Sequence, residues 1–297
     1  MPDPEGETFQ DGQPRPPIAV SAPVDQDMLA AALGLAEQSD LTIAVVGDCI
    51  PLIGETKSTA TLELLGSQVE LLNGLQKSGK PYVVVVISSK PLVLPDSALK
   101  ANALIQAFNP GMRGGQAIAE LILGHIEPTG RLPISFAVHV GQQPTYYNQI
   151  RGQHGTRYAD LTQKPQFPFG FGLSYTTVSY GQPRLAQTSL GLNDLVRASI
   201  TLRNSGSRPA LETVQFYVSD LVTSVTWAQK ELKGYQQVWV QPGESVTVDF
   251  ELPVSACTLV DSSATRVVEP GEFALLVGSS SSEADLQAVM FNVVGQA

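Results

Sequence analysis

One uninterrupted apolar run limits the folds open to this 297-residue chain more than any other feature. Residues 82–87 consist only of tyrosine, valine and isoleucine, which are types that favour β-strands. A strand without polar positions has no side to turn towards water, so both of its faces must be covered, as in a parallel sheet. The run therefore predicts an interior strand of a sheet in an α/β protein.

The sequence around this run alternates between strand and helix patterns. Residues 41–46 predict a second buried parallel strand, and residues 103–108 predict a third. Such alternation predicts a mostly parallel sheet with helices on both faces, that is, an α/β sandwich. Helices are predicted at residues 25–39, 62–75, 95–100 and 116–123, the first with Met28, Leu29, Ala32, Leu33 and Leu35 on one apolar face.

A different pattern begins near Tyr180. Residues 196–202, 214–218 and 246–250 alternate apolar and polar types, and Gly- or Pro-containing turns separate them. Short alternating strands with regular turns are typical of an all-β sandwich. We therefore predict three parts, which are an extended lead-in at residues 1–24, an α/β domain at residues 25–180 and an all-β domain at residues 181–297.

A long irregular segment connects the two patterns. Residues 131–136 predict an edge strand, and residues 142–171 are rich in Tyr, Gln, Gly and Pro without a clear period. A loop of this length is usually functional or lies along another part of the protein. We expect it to wrap over a surface and lead the chain into the all-β domain.

Charge and hydropathy argue against two classes of partner. The formal charge is -10 and the pI is near 4.8, whereas nucleic-acid binding requires basic stripes. No apolar run approaches the ~20 residues that span a bilayer. We therefore expect neither a nucleic-acid partner nor a membrane partner, and a neutral ligand such as a sugar would suit the charge.

Cysteine usage and the first residues bear on the compartment. Cys49 and Cys257 fall in different predicted domains, so we expect no disulfide between them, which favours a reducing, cytoplasmic location. Residues 1–17 are acidic and rich in proline, unlike a signal peptide. Periplasmic or secreted locations stay open if the natural start of the protein lies further upstream.

The loop at residues 47–60 is the best candidate for chemistry. It follows the predicted strand at residues 41–46, and open α/β sheets bind ligands at the carboxyl ends of their strands. The loop carries two carboxylates, Asp48 and Glu55. A general acid acting on a sugar must be partly desolvated, and the apolar residues at positions 50, 52 and 53 are expected to provide that cover. Asp48 also suits the strand-to-loop turn, because its side chain is short.

A glycine-rich loop at residues 111–115 is the second candidate. It resembles a phosphate-binding turn before a helix, but it matches neither a dinucleotide-binding nor a P-loop pattern. We therefore favour a tight strand-to-helix turn over nucleotide binding. Arg113 is the one residue of this loop that is expected to reach a ligand.

The three histidines of the chain do not predict a metal site. His125, His139 and His154 share no metal-ligand spacing with one another or with the cysteines. His154 lies in the polar part of the long segment, where a surface residue and a pocket-rim residue are both open interpretations. We expect no metal and no cofactor, and no Gly-x-Ser-x-Gly elbow supports a serine hydrolase.

Several motifs, in order, resemble the carboxyl-terminal half of glycoside hydrolase family 3, the β-glucosidase and β-xylosidase family. The resemblance runs from about residue 40 to the end, where a fibronectin type III-like sandwich follows. The motifs are Gly54-Glu55-Thr56-Lys57-Ser58, Lys90-Pro91-Leu92, Asn109-Pro110-Gly111-Met112-Arg113-Gly114-Gly115, Thr129-Gly130-Arg131-Leu132-Pro133, Pro168-Phe169-Gly170-Phe171-Gly172-Leu173-Ser174-Tyr175 and Lys233-Gly234-Tyr235.

The resemblance implies a role for Glu55 and for a missing domain. Glu55 matches the general acid/base, while Asp48, Arg113 and His154 are candidate substrate-binding residues. Members of the family carry their nucleophilic aspartate on a barrel that precedes the α/β sandwich, and 39 residues before Asp40 are too few to form one. The chain is therefore expected to be part of a retaining exo-β-glycosidase and inactive alone, with glucosides and xylosides both open as substrates.

Two departures from the family pattern concern the pocket. The family often has arginine after the serine that follows its acid/base glutamate, whereas this chain has Thr59 after Ser58. A glutamate is common in the later glycine loop, whereas Met112 and Arg113 stand here. A rival hypothesis from another class is a non-catalytic carbohydrate-binding or scaffold module built on the same two folds.

Overall fold

The computed structural model describes residues 22–55, 58–150 and 158–295. The chain divides into two compact units, residues 1–115 and residues 116–297, called the first and second unit below. The predicted domain boundary near Tyr180 follows a change of sequence pattern and stays a prediction. Most of the predicted lead-in lies outside the described residues. Across the described ranges, no helix has both the length and the apolar character to cross a bilayer.

The first unit contains a three-stranded parallel sheet in the order β1-β2-β3. Its first two strands pair from Thr42 opposite Tyr82 to Gly47 opposite Ile87, so they end level with each other. Helix α1 packs on α2, and α2 packs on α3. The elements are α1 (Gln26–Glu37), β1 (Thr42–Gly47), α2 (Gln68–Ser78), β2 (Tyr82–Ile87), α3 (Asp96–Leu99) and β3 (Ala103–Gln106), with a 3-10 helix at Ile50–Leu52.

The two long strands of this sheet differ in burial. Residues 82–86 of β2 are all buried, which confirms the prediction from its apolar sequence. The prediction that β1 is buried on both faces is wrong, because Ile43 and Val45 are 47% and 61% exposed while Ala44 and Val46 are buried. Within the sheet β2 lies between two strands, whereas β1 has one partner strand and is an edge. An apolar sequence alone does not distinguish these two positions.

The helices follow the predicted pattern with two corrections. The Asp25 carboxylate caps α1 by accepting a hydrogen bond from the Met28 N–H at 2.9 Å, and Gly79 ends α2 in the left-handed conformation. The predicted apolar face of α1 is wrong at Met28 and Leu35, which are 72% and 68% exposed, and at Ala32, which is also exposed. Helix α2 begins at Gln68 instead of residue 62, because Glu63 forms an isolated parallel bridge with Val93.

The second unit is built mainly from antiparallel strands, and its two larger sheets pack on each other, which confirms the predicted all-β sandwich. One of these sheets has four strands, in the order β10-β7-β4 with β5 also paired to β7, and the other has the order β6-β14-β13-β8-β9. Strands β11 and β12 form a separate two-stranded sheet. Helix α4 (Gly114–Ile122) begins just before this unit. The strands are β4 (Val178–Tyr180), β5 (Arg184–Leu185), β6 (Ser189–Gly191), β7 (Leu195–Asn204), β8 (Ala210–Asp220), β9 (Glu231–Val240), β10 (Ser245–Pro253), β11 (Leu259–Val260), β12 (Arg266–Val267), β13 (Gly271–Gly278) and β14 (Leu286–Val294).

Aromatic stacking between the two sheets forms the centre of this core. The rings of Phe216 and Phe250 stack at 4.1 Å with an interplanar angle of 3°. Gly234 on β9 lies directly against them, since a Cβ atom there would be 2.7 Å from the Phe250 ring. Glycine at this position therefore makes room for the stacked pair.

The long irregular segment packs along the five-stranded sheet of the second unit. The Tyr147 ring stacks on Phe169 at 4.4 Å, and its hydroxyl accepts a hydrogen bond from the Leu232 N–H. Gln215 on β8 donates from Nε2 to the Gly170 carbonyl at 3.0 Å. The described part of the segment thus lies on a surface, as expected. The predicted edge strand at residues 131–136 is wrong, because these residues form no strand. Their backbone pairs with that of residues 166–171 only at Leu132 and at Phe136, which forms an isolated bridge to Phe167.

A buried ion pair ties the start of this segment to the sandwich. The guanidinium of Arg131 lies 3.1 Å from the Glu212 carboxylate, and their side chains are only 9% and 5% exposed. The Tyr180 hydroxyl donates to the other Glu212 oxygen at 2.7 Å. Burial, and then the Glu212 charge, raise the pKa of Tyr180 far above its usual range, so the phenol stays protonated and donates.

Removing one partner of this ion pair is expected to destabilise the second unit strongly. In Arg131→Met, the Glu212 carboxylate stays buried without its counter-charge, and such changes cost about 3–5 kcal/mol. The double variant Arg131→Met/Glu212→Gln is expected to recover part of that loss, because no uncompensated charge remains. Urea unfolding, followed by circular dichroism, measures the free energy of unfolding of the single and the double variant. The control is Arg197→Met, whose pair with Glu251 is more than half exposed and is worth less than about 1 kcal/mol. Equal losses in Arg131→Met and Arg197→Met would contradict the expectation.

The two cysteines are free and differ in environment, so they are expected to react at very different rates. Cys49 is exposed, whereas Cys257 is buried. Burial raises the pKa of the Cys257 thiol to about 11, and the thiolate is the reactive form. At pH 8, an aromatic disulfide reagent is expected to label one thiol rapidly and the second only after denaturant is added. Cys49→Ser should abolish the rapid phase, and persistence of that phase would refute the assignment.

Candidate active-site loop

The carboxyl ends of the three parallel strands bring several polar residues of the first unit together. Asp48 follows β1, and residues 88–90 follow β2. Gln106 is the last residue of β3. Because parallel strands end at the same edge of a sheet, residues far apart in sequence become neighbours there. The loop with Glu55 leaves the sheet at this edge.

The exit of the loop from β1 is fixed by close packing and by one side chain. Gly47 has a φ of 144°, and a Cβ atom there would lie 1.8 Å from the Ile87 carbonyl oxygen. The side-chain amide of Gln68 accepts from the Gly47 N–H at 2.6 Å and donates to the Gly47 carbonyl at 3.0 Å. The first residue of helix α2 thus holds both backbone groups of the last residue of β1.

Asp48 joins the ends of the two neighbouring strands. Its Oδ2 atom accepts hydrogen bonds from the N–H and from the hydroxyl of Ser89, each at 2.9 Å. Its own N–H donates to the Ile87 carbonyl at 2.9 Å. These contacts suit the shaping of the turn that the short side chain suggested. A contact between Asp48 and a substrate stays a prediction.

Glu55 lies further along the same loop, at an exposed position. A 3-10 turn at Ile50–Leu52 and Gly54, whose φ is 103°, lead the chain to it. The apolar cover that the sequence suggested is not formed by Ile50, since its side chain is 83% exposed. The two residues after Glu55 lie outside the described part of the chain. Burial of this carboxylate therefore needs a surface that the described residues do not provide.

The second half of the loop returns to the segment that follows β2. The Leu62 carbonyl accepts from the Val93 N–H at 2.8 Å, and the Thr59 hydroxyl donates to the Thr61 carbonyl at 2.9 Å. The Lys90 ammonium donates to the Thr59 hydroxyl and lies 3.5 Å from the Thr61 carbonyl. In the sequence Lys90 stands only in the Lys90-Pro91-Leu92 motif, because no local pattern shows that residues 59 and 90 meet.

The glycine-rich loop is a turn, as favoured from the sequence. The Gly114 N–H donates to the Gly111 carbonyl at 3.0 Å, and α4 begins at Gly114. A Cβ atom at Gly114 would lie 2.5 Å from Pro110, so packing alone accounts for that glycine. Arg113 is exposed, and its contact with a ligand stays a prediction.

The remaining candidate, His154, lies outside the described residues. His139 accepts a hydrogen bond at Nδ1 from the Gly141 N–H and caps a 3-10 turn at Val140–Gln142. Among the residues that the structure describes, no three His, Cys, Asp or Glu side chains come together as metal ligands.

Comparison with known families identifies both folds. A match to the glycosyl hydrolase family 3 C-terminal domain covers residues 7–175, which is more than half of the chain. A match to the fibronectin type III-like domain covers residues 212–281. The chain therefore belongs to glycoside hydrolase family 3, and it carries the C-terminal domain of that family followed by a fibronectin type III-like domain.

Similar proteins are named as glycosidases, and all are longer. A β-xylosidase of Formosa agariphila is 39% identical over 269 residues, which cover 88% of this chain and 37% of the relative. A periplasmic β-glucosidase of Salmonella typhimurium is 33% identical, and the match covers 86% of this chain and 35% of the relative. The solved structure of a β-glucosidase involved in saponin metabolism from intestinal bacteria is 53% identical, with a TM-score of 0.91. The match covers 99% of this chain and 42% of that protein. The chain thus spans well under half the length of these proteins.

Proposed function

We propose that this chain supplies the general acid/base, Glu55, of a retaining exo-β-glycosidase that acts on β-glucosides or β-xylosides. One observation carries the proposal. Glu55 lies exposed on a loop at the carboxyl edge of the parallel sheet, and hydrogen bonds fix the loop on both sides of it. Such an arrangement presents a carboxylate to a ligand while limiting its motion.

The two carboxylates of the loop are suited to different tasks. Asp48 is half-buried, and one of its oxygens accepts two hydrogen bonds from Ser89. These contacts hold the Asp48 side chain in the turn that joins the two strand ends. Glu55 is exposed and has a longer side chain, so it is the better candidate to give and take a proton.

In this proposal Glu55 acts twice in each turnover. It first protonates the glycosidic oxygen as the bond to the leaving group breaks, while an aspartate of the barrel forms the glycosyl-enzyme. It then removes a proton from the water that releases the sugar. Retention of configuration requires the two carboxyl groups to lie about 5–5.5 Å apart. The barrel would come from another part of the same protein or from another chain, and it would also cover Glu55 and the exposed Ile50.

Replacing Glu55 is expected to remove acid catalysis selectively. The experiment uses a form of the enzyme that contains this chain and turns over substrate. In Glu55→Gln, kcat/KM for substrates with poor leaving groups is expected to fall about 10²–10⁴-fold, which is the usual contribution of general acid catalysis. Aryl glycosides with good leaving groups need no protonation and should lose much less in kcat/KM. Glu63→Gln is the matched control, since Glu63 is an exposed glutamate on the returning part of the loop.

Three outcomes of these assays would count against the proposal. Unchanged turnover of poor substrates in Glu55→Gln would exclude Glu55 as the acid/base. An equal loss in Glu63→Gln would indicate a general effect on the loop. Hydrolysis of aryl β-glucosides or β-xylosides by this chain alone would show that the nucleophile is not elsewhere, and Asp48 would then be the first residue to test.

A second candidate function rests on an aromatic face of the second unit. Tyr235 and Trp239 on β9 are 65% and 54% exposed, and Gln237 lies between them on the same face. Strand geometry places Tyr235 and Trp239 roughly 13 Å apart along β9, which is an edge strand. Flat exposed rings beside an amide suit the faces and hydroxyl groups of a β-linked sugar chain. This face would bind polysaccharide without hydrolysing it.

Calorimetric titration separates the two candidate functions. If the aromatic face binds sugar, xylan or β-glucan oligosaccharides should release heat with this chain, and the Kd should rise at least tenfold in Trp239→Ala. Glu55→Gln should bind as the parent does. Tyr146→Ala is the matched control, because Tyr146 is 63% exposed but lies outside β9. Absence of binding, or equal weakening in Tyr146→Ala, would eliminate the aromatic face as the site.

A further inference from the structure

Lys90 lies at the carboxyl edge of the sheet in an unusual electrostatic position. Lys90 is a half-buried residue, and its ammonium contacts two uncharged oxygens, those of the Thr59 hydroxyl and the Thr61 carbonyl. Within the described ranges no carboxylate forms an ion pair with it, whereas Lys100 and Lys233 pair with Asp96 and Glu231. Burying part of a charge costs free energy, and neutral acceptors offset this cost less well than a carboxylate does.

The backbone of Lys90 is anchored to the third strand. The Ser88 hydroxyl donates to the Lys90 carbonyl at 2.8 Å, and the Gln106 amide donates to the same hydroxyl at 3.0 Å. Ser88 is 1% exposed, so this link is shielded from water. A continuous series of hydrogen bonds therefore runs from the end of β3, through Ser88 and Lys90, to Thr59 in the candidate active-site loop.

The neighbouring Ser89 anchors the other half of the same loop. Its contacts with Asp48 hold the chain seven residues before Glu55, and the contact of Lys90 with Thr59 holds it four residues after. Two consecutive residues after β2 thus clamp the loop on both sides of Glu55. The Ser89 contact includes a backbone N–H, whereas the Lys90 contact depends on the side-chain cation.

We propose that Lys90 is a positioning residue for Glu55. The Lys90 side chain clamps the second half of the loop, and its positive charge lies beside Thr59 and Thr61. Thr59 stands where the family resemblance suggests an arginine, and the structure brings Lys90 to this threonine from the next strand. The inference rests on the proposed acid/base role of Glu55. Since a displacement of about 1 Å can cost 10²-fold in rate, loss of the clamp should lower turnover more than substrate affinity.

The test compares variants at both ends of this contact in the active enzyme that contains this chain. Lys90→Met keeps most of the side-chain length and removes the charge, Lys90→Arg restores the charge, and Thr59→Val removes the acceptor. Lys100→Met is the matched control, because Lys100 is an exposed lysine on the same unit. Each variant is assayed on one substrate with a poor leaving group and on one with a good leaving group.

If Lys90 positions Glu55, kcat on the poor substrate should fall about 10- to 100-fold in Lys90→Met, while KM changes less than threefold. Lys90→Arg should recover most of the activity, and kcat/KM on the good substrate should be nearly unchanged. A general packing defect would instead lower kcat/KM on both substrates. Hydrogen exchange of the peptide covering residues 48–62 should rise in Lys90→Met, with no change in the peptide that contains β2.

The results distinguish failure of this inference from failure of the proposed function. Parent-like turnover of the poor substrate in Lys90→Met, with activity lost in Glu55→Gln, would overturn the role of Lys90 alone. Parent-like turnover in Glu55→Gln would overturn both. If Lys90→Met does not fold, Thr59→Val decides the matter, since parent-like kcat in that variant would also overturn the inference.

Discussion

The parallel pairing of β1 and β2 decides which polar residues meet at the carboxyl edge of the sheet in the first unit. Because Gly47 lies opposite Ile87, the two strands end level, and Asp48 meets Ser89 within hydrogen-bonding distance. The close approach of the two backbones at Gly47 excludes any side chain there. A shift of one residue in this pairing would separate Asp48 from Ser89 and release the start of the loop.

If Glu55 has the proposed catalytic role, its loop must meet two requirements. A general acid has to be held in place, yet it also has to reach a substrate. The anchors at Asp48 and Thr59 restrict the backbone, while Glu55 between them stays exposed. Under the proposed function, the exposure of Glu55 is expected, because the opposing wall of the site would be formed by the proposed barrel.

In the second unit, a long segment that lacks regular secondary structure is held on the five-stranded sheet by side-chain contacts. Stacking of Tyr147 on Phe169 provides apolar contact, and backbone groups such as the Gly170 carbonyl find side-chain partners on the sheet. The buried Arg131–Glu212 pair adds an electrostatic contact, and the cost of burying both charges offsets much of their attraction.

Local sequence patterns determined much of this protein, including the buried strand at residues 82–87, the alternating strands of the sandwich and the loop that carries Glu55. Motif order predicted the family. Tertiary structure decided the exposed face of β1, the contact of Lys90 with Thr59 and the pair of Arg131 with Glu212. The physical reason is separation along the chain, because hydrophobic periodicity and turn chemistry act over a few residues. Contacts between residues 31 or 81 positions apart exist only after the strands have paired.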